Sequence, residues 1–346
     1  METTRDHGRP RETTVMHDPS PSSLTRDHGD LDEPSTPAIL AFDIGGTRIK
    51  AGLVRGGAVS ALTTVPTSGD GADVILDTIV RLGHGLMESH DIAGIGLCVK
   101  GIVEPARGIL LDVNEALAGW IGQPVARIIA DGLGHPTYME NDARMYALGE
   151  FAHGAGRGSA GMVCLTLGTG VGSGVALGGR ILRGPHGTGG IMCGQMTIQR
   201  DGHLCTCGNV GCLETLVGTA GLMRSAEEAL AHDPSSALRD GPLDPRRIFA
   251  VAAAGDPAAG EVVRRFAGDL GVGVVNVIHA YDPDVVVLGG GMAHAAAQFL
   301  PAVRAYASAH AWTYPRGRVR IVPALLGDAA ALVGVAEHVR DRGMVA

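Results

Sequence analysis

The chain has 346 residues, too many for one typical core and suited to two lobes. A formal charge of −8 and an aromatic content of 3% argue against a nucleic-acid binder, since few rings are left to stack on bases. Hydrophobic residues make up 45%, no apolar run is long enough to span a membrane, and the first residues carry no secretory signal, so a cytoplasmic globular protein is expected. In chain order, residues 1–36 are rich in Pro, Ser, Thr, Asp, Arg and His without apolar periodicity, and read as a disordered tail.

Residues 38–42 form a short apolar strand, followed by Asp43-Ile44-Gly45-Gly46-Thr47 and a second strand over 49–54. Such a hairpin tip can offer the amides of Gly45 and Gly46 and the Thr47 hydroxyl to phosphates. Asp43, at the strand end, could hold a magnesium ion through water. The plain alternative is a structural hairpin. Residues 74–89 have apolar positions at 75, 76, 79, 82 and 86, close to helical spacing. Residues 92–99 are a near-continuous apolar strand leading into Lys100-Gly101. Lys50 and Lys100 are the only lysines, and both stand beside motifs. A helix opens over 125–130, and a strand over 136–139 runs into Glu140-Asn141-Asp142 and a helix over 143–152. Asn141 and Asp142 therefore sit at a strand end that can face a cleft, although Asn-Asp also serves well as a helix cap.

The centre of the chain opens with an apolar strand ending in Gly168-Thr169-Gly170. Four of the seven residues from Gly168 to Gly174 are glycine, so amides can approach a phosphate. Cys205, Cys207 and Cys212, with glycines at 208 and 211, can place three thiolates around one tetrahedral ion such as zinc. Three of six cysteines clustered in this way suggest a reducing compartment and a metal rather than a disulfide framework. Helices are expected over 247–253 and 260–277, and a buried strand over 283–288 runs into Gly289-Gly290-Gly291, where backbone can lie close to a nucleotide. A last strand (319–322) and helix (328–339) follow.

These motifs, in this order, resemble the ROK family (repressors, open reading frames and sugar kinases) over roughly residues 38 to 340. The resemblance implies an α/β protein of two actin-like (RNase H-like) lobes, with mixed sheets flanked by helices around a central cleft. The lobes would be 37–150 and 151–329, the second carrying the cysteine segment 193–214, and residues 330–346 would form a helix packing back on the first lobe. It further implies an ATP-dependent kinase, with Asp142 as general base and Asp43 positioning Mg2+. Gly45–Thr47 and Gly168–Gly170 would hold phosphates, and Gly289–Gly291 would lie against adenosine. Asn141, Gly101, Asn114, Gln195 and Glu214 would face the acceptor, and a homodimer is expected. Repressors of the family carry a DNA-binding winged helix ahead of the kinase-like part, which a polar tail of this length cannot supply. A non-catalytic sugar sensor is the rival class, and it needs neither the base nor the metal carboxylate.

The chain departs from the family pattern at the acceptor. Lys100 stands where proline is usual, and Ala116 where an asparagine is usual, with Asn114 two residues away. The family's Gly-Glu-x-Gly-His becomes Met192-Cys193-Gly194-Gln195, or Ile191 replaces the glutamate if one residue is inserted. The carboxylate is missing either way, and glutamine is a poor zinc ligand. Cys193 and His203 stand nearby as a fourth ligand. The acceptor expected is an amino sugar or a C7-cyclitol in preference to plain glucose.

Overall fold

A computed structural model describes residues 37–68, 71–113 and 115–343; the expected disordered tail and Asn114 lie outside these residues. The chain builds two sheets of five strands with the same strand order. In the first, β1 (Ala38–Ile44) is buried along nearly its whole length, as an internal strand must be. It pairs antiparallel with β2 (Arg48–Arg55), which pairs antiparallel with β3 (Ala58–Pro66) at the edge. β3 is mostly exposed and rich in Ser and Thr, so it has no apolar stripe to announce it. After α1 (Ala72–Met87), β4 (Ile92–Val99) joins β1 in parallel. A small hairpin, β5 (Ile102–Glu104) and β6 (Ile109–Asp112), precedes α2 (Val125–Leu133) and β7 (Thr137–Asn141), which joins β4 in parallel.

α3 (Asp142–His153) leads to the second sheet. Here β8 (Gly161–Leu167) and β9 (Val171–Leu177) form the internal hairpin and β10 (Arg180–Ile181) is a two-residue edge. A long excursion over 182–213 follows, then α4 (Glu214–Val217), α5 (Thr219–His232), α6 (Pro245–Ala253) and α7 (Pro257–Tyr281). Asp244 and Asp256 cap α6 and α7 through side-chain bonds, each followed by proline at the first helical position. β11 (Val285–Gly289), α8 (Ala296–His310), β12 (Arg320–Pro323) and α9 (Ala330–Gly343) complete the chain, with β8, β11 and β12 parallel. No helix of the described residues is long and apolar enough to cross a membrane.

Alternation along the strands sends side chains to both faces. Leu40 and Phe42 of β1 pack with Ile79 of α1 and Ile129 of α2, while Ile39 and Ala41 face Leu332, Val335 and Ala336 of α9. In the second sheet α7 and α8 cover one face, where Phe266 and Phe299 meet edge-on at 5.1 Å. The other face, with Cys164, Val285 and Val287, is covered by Ala147 of α3. Each sheet thus receives a covering helix from the other half of the chain. The boundary expected at residue 150 consequently falls inside a helix that packs on the second sheet. α3 and α9 cross at very close range. A Cβ at 149 would run into the Ala330 carbonyl, and one at 334 into that of Met145, so both positions require glycine.

Candidate active site

The parallel strands of the first sheet end side by side. Register places Asp43 beside Cys98, Cys98 beside Glu140, and Val99 beside Asn141. Open α/β sheets present their ligand sites at this carboxyl end. The hairpin tip is closed by the Gly45 amide donating to the Arg48 carbonyl (3.0 Å), and the Thr67 hydroxyl donates to the Gly45 carbonyl (2.7 Å). Gly46 and Thr47 are exposed, and the Thr47 carbonyl accepts from the Thr67 amide (3.0 Å). Asp43 lies 3.9 Å from the ammonium of Lys50, its cross-strand neighbour, which reaches 3.4 Å to Asp328. Burial raises the Asp43 carboxyl, and Lys50 opposes that shift.

The helix cap at the end of β7 belongs to Asn141, not Asp142. Its side-chain oxygen accepts the Arg144 amide (2.9 Å), and its amide nitrogen donates to the Gly101 carbonyl (2.9 Å) and to Asp142 Oδ1 (3.2 Å). Both amide hydrogens are committed, so Asn141 ties the Gly101 loop to the strand end. Freed from capping, Asp142 accepts from the Ala143 amide at 2.7 Å. Burial, and then the neighbouring Asp43 charge, push its carboxyl up to about 6, against the pull of Ala143's N–H and of Lys100. A carboxylate with this value is ionised at neutral pH and well matched to take a proton. Gly101 keeps a left-handed φ of 109°.

The second sheet presents a different edge. The Gly168 amide donates to the Gly170 carbonyl (3.0 Å), and the Thr219 hydroxyl to the Gly168 carbonyl (3.0 Å), fixing the turn that contains Thr169. Gly289 pairs beside Thr166 at the end of β8, so Gly289, Gly290 and Gly291 lie next to that turn. The Gly290 amide is 3.5 Å from the Tyr146 hydroxyl of α3. Glu214 spans two features. One oxygen accepts the Val171 amide (2.8 Å) at the turn, and the other lies 3.6 Å from the Cys205 thiol.

The Sγ atoms of Cys205, Cys207 and Cys212 all lie within 4.8 Å of one another, and Cys207 and Cys212 are 3.7 Å apart. Thiolates at about 2.3 Å on a tetrahedral ion stand roughly 3.8 Å apart, so the three fit zinc. Cys193 is not in this group, which corrects its assignment as a ligand. Its thiol is buried 3.9 Å from the Gly190 carbonyl and its amide donates to Ser173 Oγ (3.0 Å). His203 is not in the group either. The Gln195 carbonyl accepts from Cys212 Sγ at 3.3 Å, so the residue borders the cysteines through its backbone. Of the two residues that align with the missing glutamate, Ile191 is buried and Met192 is 37% exposed.

Two groups of residues escape sequence reasoning. Glu140, fully buried, accepts from Arg144 Nη1 (2.6 Å), Arg183 Nε (2.8 Å) and the backbone N–H of Asn141 (2.8 Å). Burial would raise this carboxyl, but the two guanidinium groups hold it below the usual range. The other group is Lys50 with Asp43 and Asp328. The only available signals were a glutamate inside a buried strand and one of two lysines beside a motif.

The ROK family model matches residues 39–342. A glucokinase of Halalkalibacterium halodurans is 33% identical over 307 residues, covering 85% of this chain and 92% of the relative. The crystal structure of a ROK family glucokinase from Streptomyces griseus, in complex with glucose and AMPPNP, superposes with a TM-score of 0.78 at 31% identity. It covers 88% of this chain and 99% of that one. A ROK hexokinase from Thermus thermophilus gives 0.73 at 33% identity, over 88% and 99%. The two-lobed α/β architecture and these matches agree: the chain belongs to the ROK family, on its kinase side, and is a phosphotransferase with an alcohol group as acceptor.

Proposed function

We propose that the chain transfers the γ-phosphoryl of ATP to the primary hydroxyl of a sugar or of a sugar-like C7-cyclitol. The observation that carries this reading is Asp142, a carboxylate raised to about 6 at a strand end, beside a glycine hairpin and a second carboxylate. Phosphoryl transfer leaves little covalent work for a protein beyond positioning, charge stabilisation and removal of one proton. Asp142 takes the proton of the acceptor hydroxyl as the oxygen attacks phosphorus. Asn141 holds Asp142 through the 3.2 Å bond from its amide and keeps the Gly101 loop beside it. The amides of Gly46 and Gly170 and the hydroxyls of Thr47 and Thr169 cradle phosphate oxygens, on turns that the Gly45 and Gly168 amides close, with Gly289–Gly291 against the adenosine. Asp43 would hold Mg2+, which neutralises phosphate charge when bound. Cys205, Cys207 and Cys212 would hold a structural zinc that braces the excursion after β10 and, through Glu214, the second phosphate turn.

The acceptor follows from the altered loop. Met192 offers an apolar, adaptable surface where family members carry a carboxylate, and Gln195 offers an amide. A glucose hydroxyl left buried and unpaired costs about 1–3 kcal/mol, roughly 5- to 150-fold in binding. A valienol- or valiolone-type cyclitol or an amino-glucose retains the hydroxymethyl and changes the ring, so it fits better. The glucokinase relatives favour glucose itself as the second reading. The experiment is ADP release and kcat/KM over a panel of hexoses, amino sugars and cyclitols. Preference for a cyclitol or amino sugar supports the first reading. Preference for glucose by about tenfold, roughly 1.4 kcal/mol, supports the second. No turnover with any of them would leave the sensor class standing.

A further inference from the structure

We propose that Arg144 is a positioning residue for the acceptor, a role that rests on the kinase reading above. Its guanidinium ties the loop 183–190 to the strand end that carries Asp142, and so sets where the second half of the chain meets the acceptor. Arg144 lies two residues beyond Asp142 on α3, and its side chain is 1% exposed. One terminal nitrogen donates to Glu140 (2.6 Å), and the other to the carbonyls of Gly187 (2.5 Å) and Gly189 (3.0 Å). The second oxygen of Glu140 accepts from Arg183, at the start of the same loop, and Arg183 reaches Nδ1 of His338 on α9 at 3.3 Å. One buried carboxylate therefore joins β7, α3, the loop and α9.

The loop needs such a clamp. Four of its eight residues are glycine, with little side-chain packing to fix their path. Apart from the Gly189 amide bond to Arg183 (2.7 Å), its far end is held by Ser173 Oγ on the Gly190 carbonyl (2.9 Å). A Cβ at 187 would come within 3.1 Å of the Val103 carbonyl, so the loop lies against the first half of the chain, beside the Gly101 segment that Asn141 holds. It also leads directly to Met192 and Gln195. Stability alone does not account for the arrangement. A buried ion cluster is commonly no more stable than apolar packing of the same volume, and Arg144 Nε is buried with no partner among the described residues. Fixing two carbonyls of a glycine-rich loop at a set distance from Asp142 is what the planar fork supplies, and a lysine cannot reproduce it.

The test is Arg144→Lys, which keeps the charge beside Glu140 but cannot grip both carbonyls. Glucose and a valienol-type cyclitol serve as acceptor probes and AMPPNP as nucleotide probe. The expected result is a KM for the better acceptor raised about tenfold or more, kcat lowered less than about threefold, and an AMPPNP Kd unchanged within about twofold. Amide exchange over 184–190 should quicken at least about tenfold, with the rest of the chain unaffected. Unchanged acceptor KM and unchanged loop exchange would overturn the proposal. So would a joint loss of acceptor and nucleotide affinity with faster exchange throughout, which is the mark of a merely structural cluster. If Arg144→Lys does not fold, Arg183→Gln releases the clamp from its more exposed end. It should shift acceptor KM and loop exchange in the same direction, and its failure to do so is equally decisive. Absence of turnover in the unaltered protein defeats the kinase reading, whereas loop exchange in the two variants judges the clamp without any turnover.

Discussion

The two sheets share a strand order, yet their carboxyl edges have opposite chemistry. The second-last residue of β1 is Asp43, paired across the hairpin with Lys50; the second-last of β8 is Thr166, paired with Gly172. The first sheet adds Glu140 and Asp142 at its far end, and the second adds Gly289 and Pro323. One edge is built from charged side chains and the other from uncharged residues. The lesson is that the fold supplies two equivalent places, and that local sequence puts carboxylates at one and uncharged residues at the other; under the proposed function the first would do proton and metal chemistry and the second neutral cradling.

The comparison is broken most severely at Asp142. Asp142→Asn should lower kcat by a factor on the order of 10² or more, with AMPPNP binding and the circular dichroism spectrum unchanged. Near-normal turnover would remove the base from the charged edge. In the unaltered protein, log kcat/KM should fall about one unit per pH unit below about 6, where the carboxyl takes up its proton. The sign for stability is reversed. A carboxyl raised in the folded state binds its proton more tightly than in the unfolded chain, so stability falls as pH climbs through this range and stays lower above it. Asp142→Asn should therefore be more stable at pH 8, by up to about 3 kcal/mol for a shift from 3.8 to about 6, and the gain should shrink towards pH 4. Urea melts at both ends of that range check this.

Asp43→Asn comes next, with kcat lowered about 10- to 100-fold and a higher Mg2+ requirement, read from metal titrations of the initial rate. Cys205→Ser should lose the roughly one zinc per chain found by metal analysis and lower Tm by several degrees. A metal-free protein of full stability and activity would make the cysteines plain core residues. The smallest effect sharpens the contrast. Thr166→Val, at the position that matches Asp43, should change kcat less than about threefold. A loss as large as that of Asp43→Asn would mean that the second edge is not merely a cradle.

Most of the sheet framework was legible in the sequence because its strands are buried on both faces and read as apolar runs, as in β1, β4 and β11. β3 was not legible, because an exposed edge strand of Ser, Thr and Ala shows no stripe. The glycine turns and the cysteine set were visible as local spacings. What pattern reading cannot see is a partner far along the chain. Arg183 meets Glu140 from 43 residues away, and Lys50 meets Asp328 from 278 residues away. By residue pattern alone Asn141 and Asp142 read alike as cap or as site, and it was the family resemblance that pointed to Asp142 as base. The bond from the Arg144 amide shows which of the two caps the helix. Cys193 shows the opposite failure, a ligand-type residue close in sequence whose thiol is directed into the core.

The helix exchange at Gly149 and Gly334 has a consequence for how the chain can be divided. Since α3 is encoded with the first sheet but covers the second, and α9 the reverse, a cut in the turn over 154–160 leaves each piece carrying the other's missing lid. Neither fragment has a complete hydrophobic core of its own, and each exposes one bare sheet face. Co-expressed, the two would have strong reason to find each other, and their reassembly would act as a split reporter whose signal depends on those two glycines.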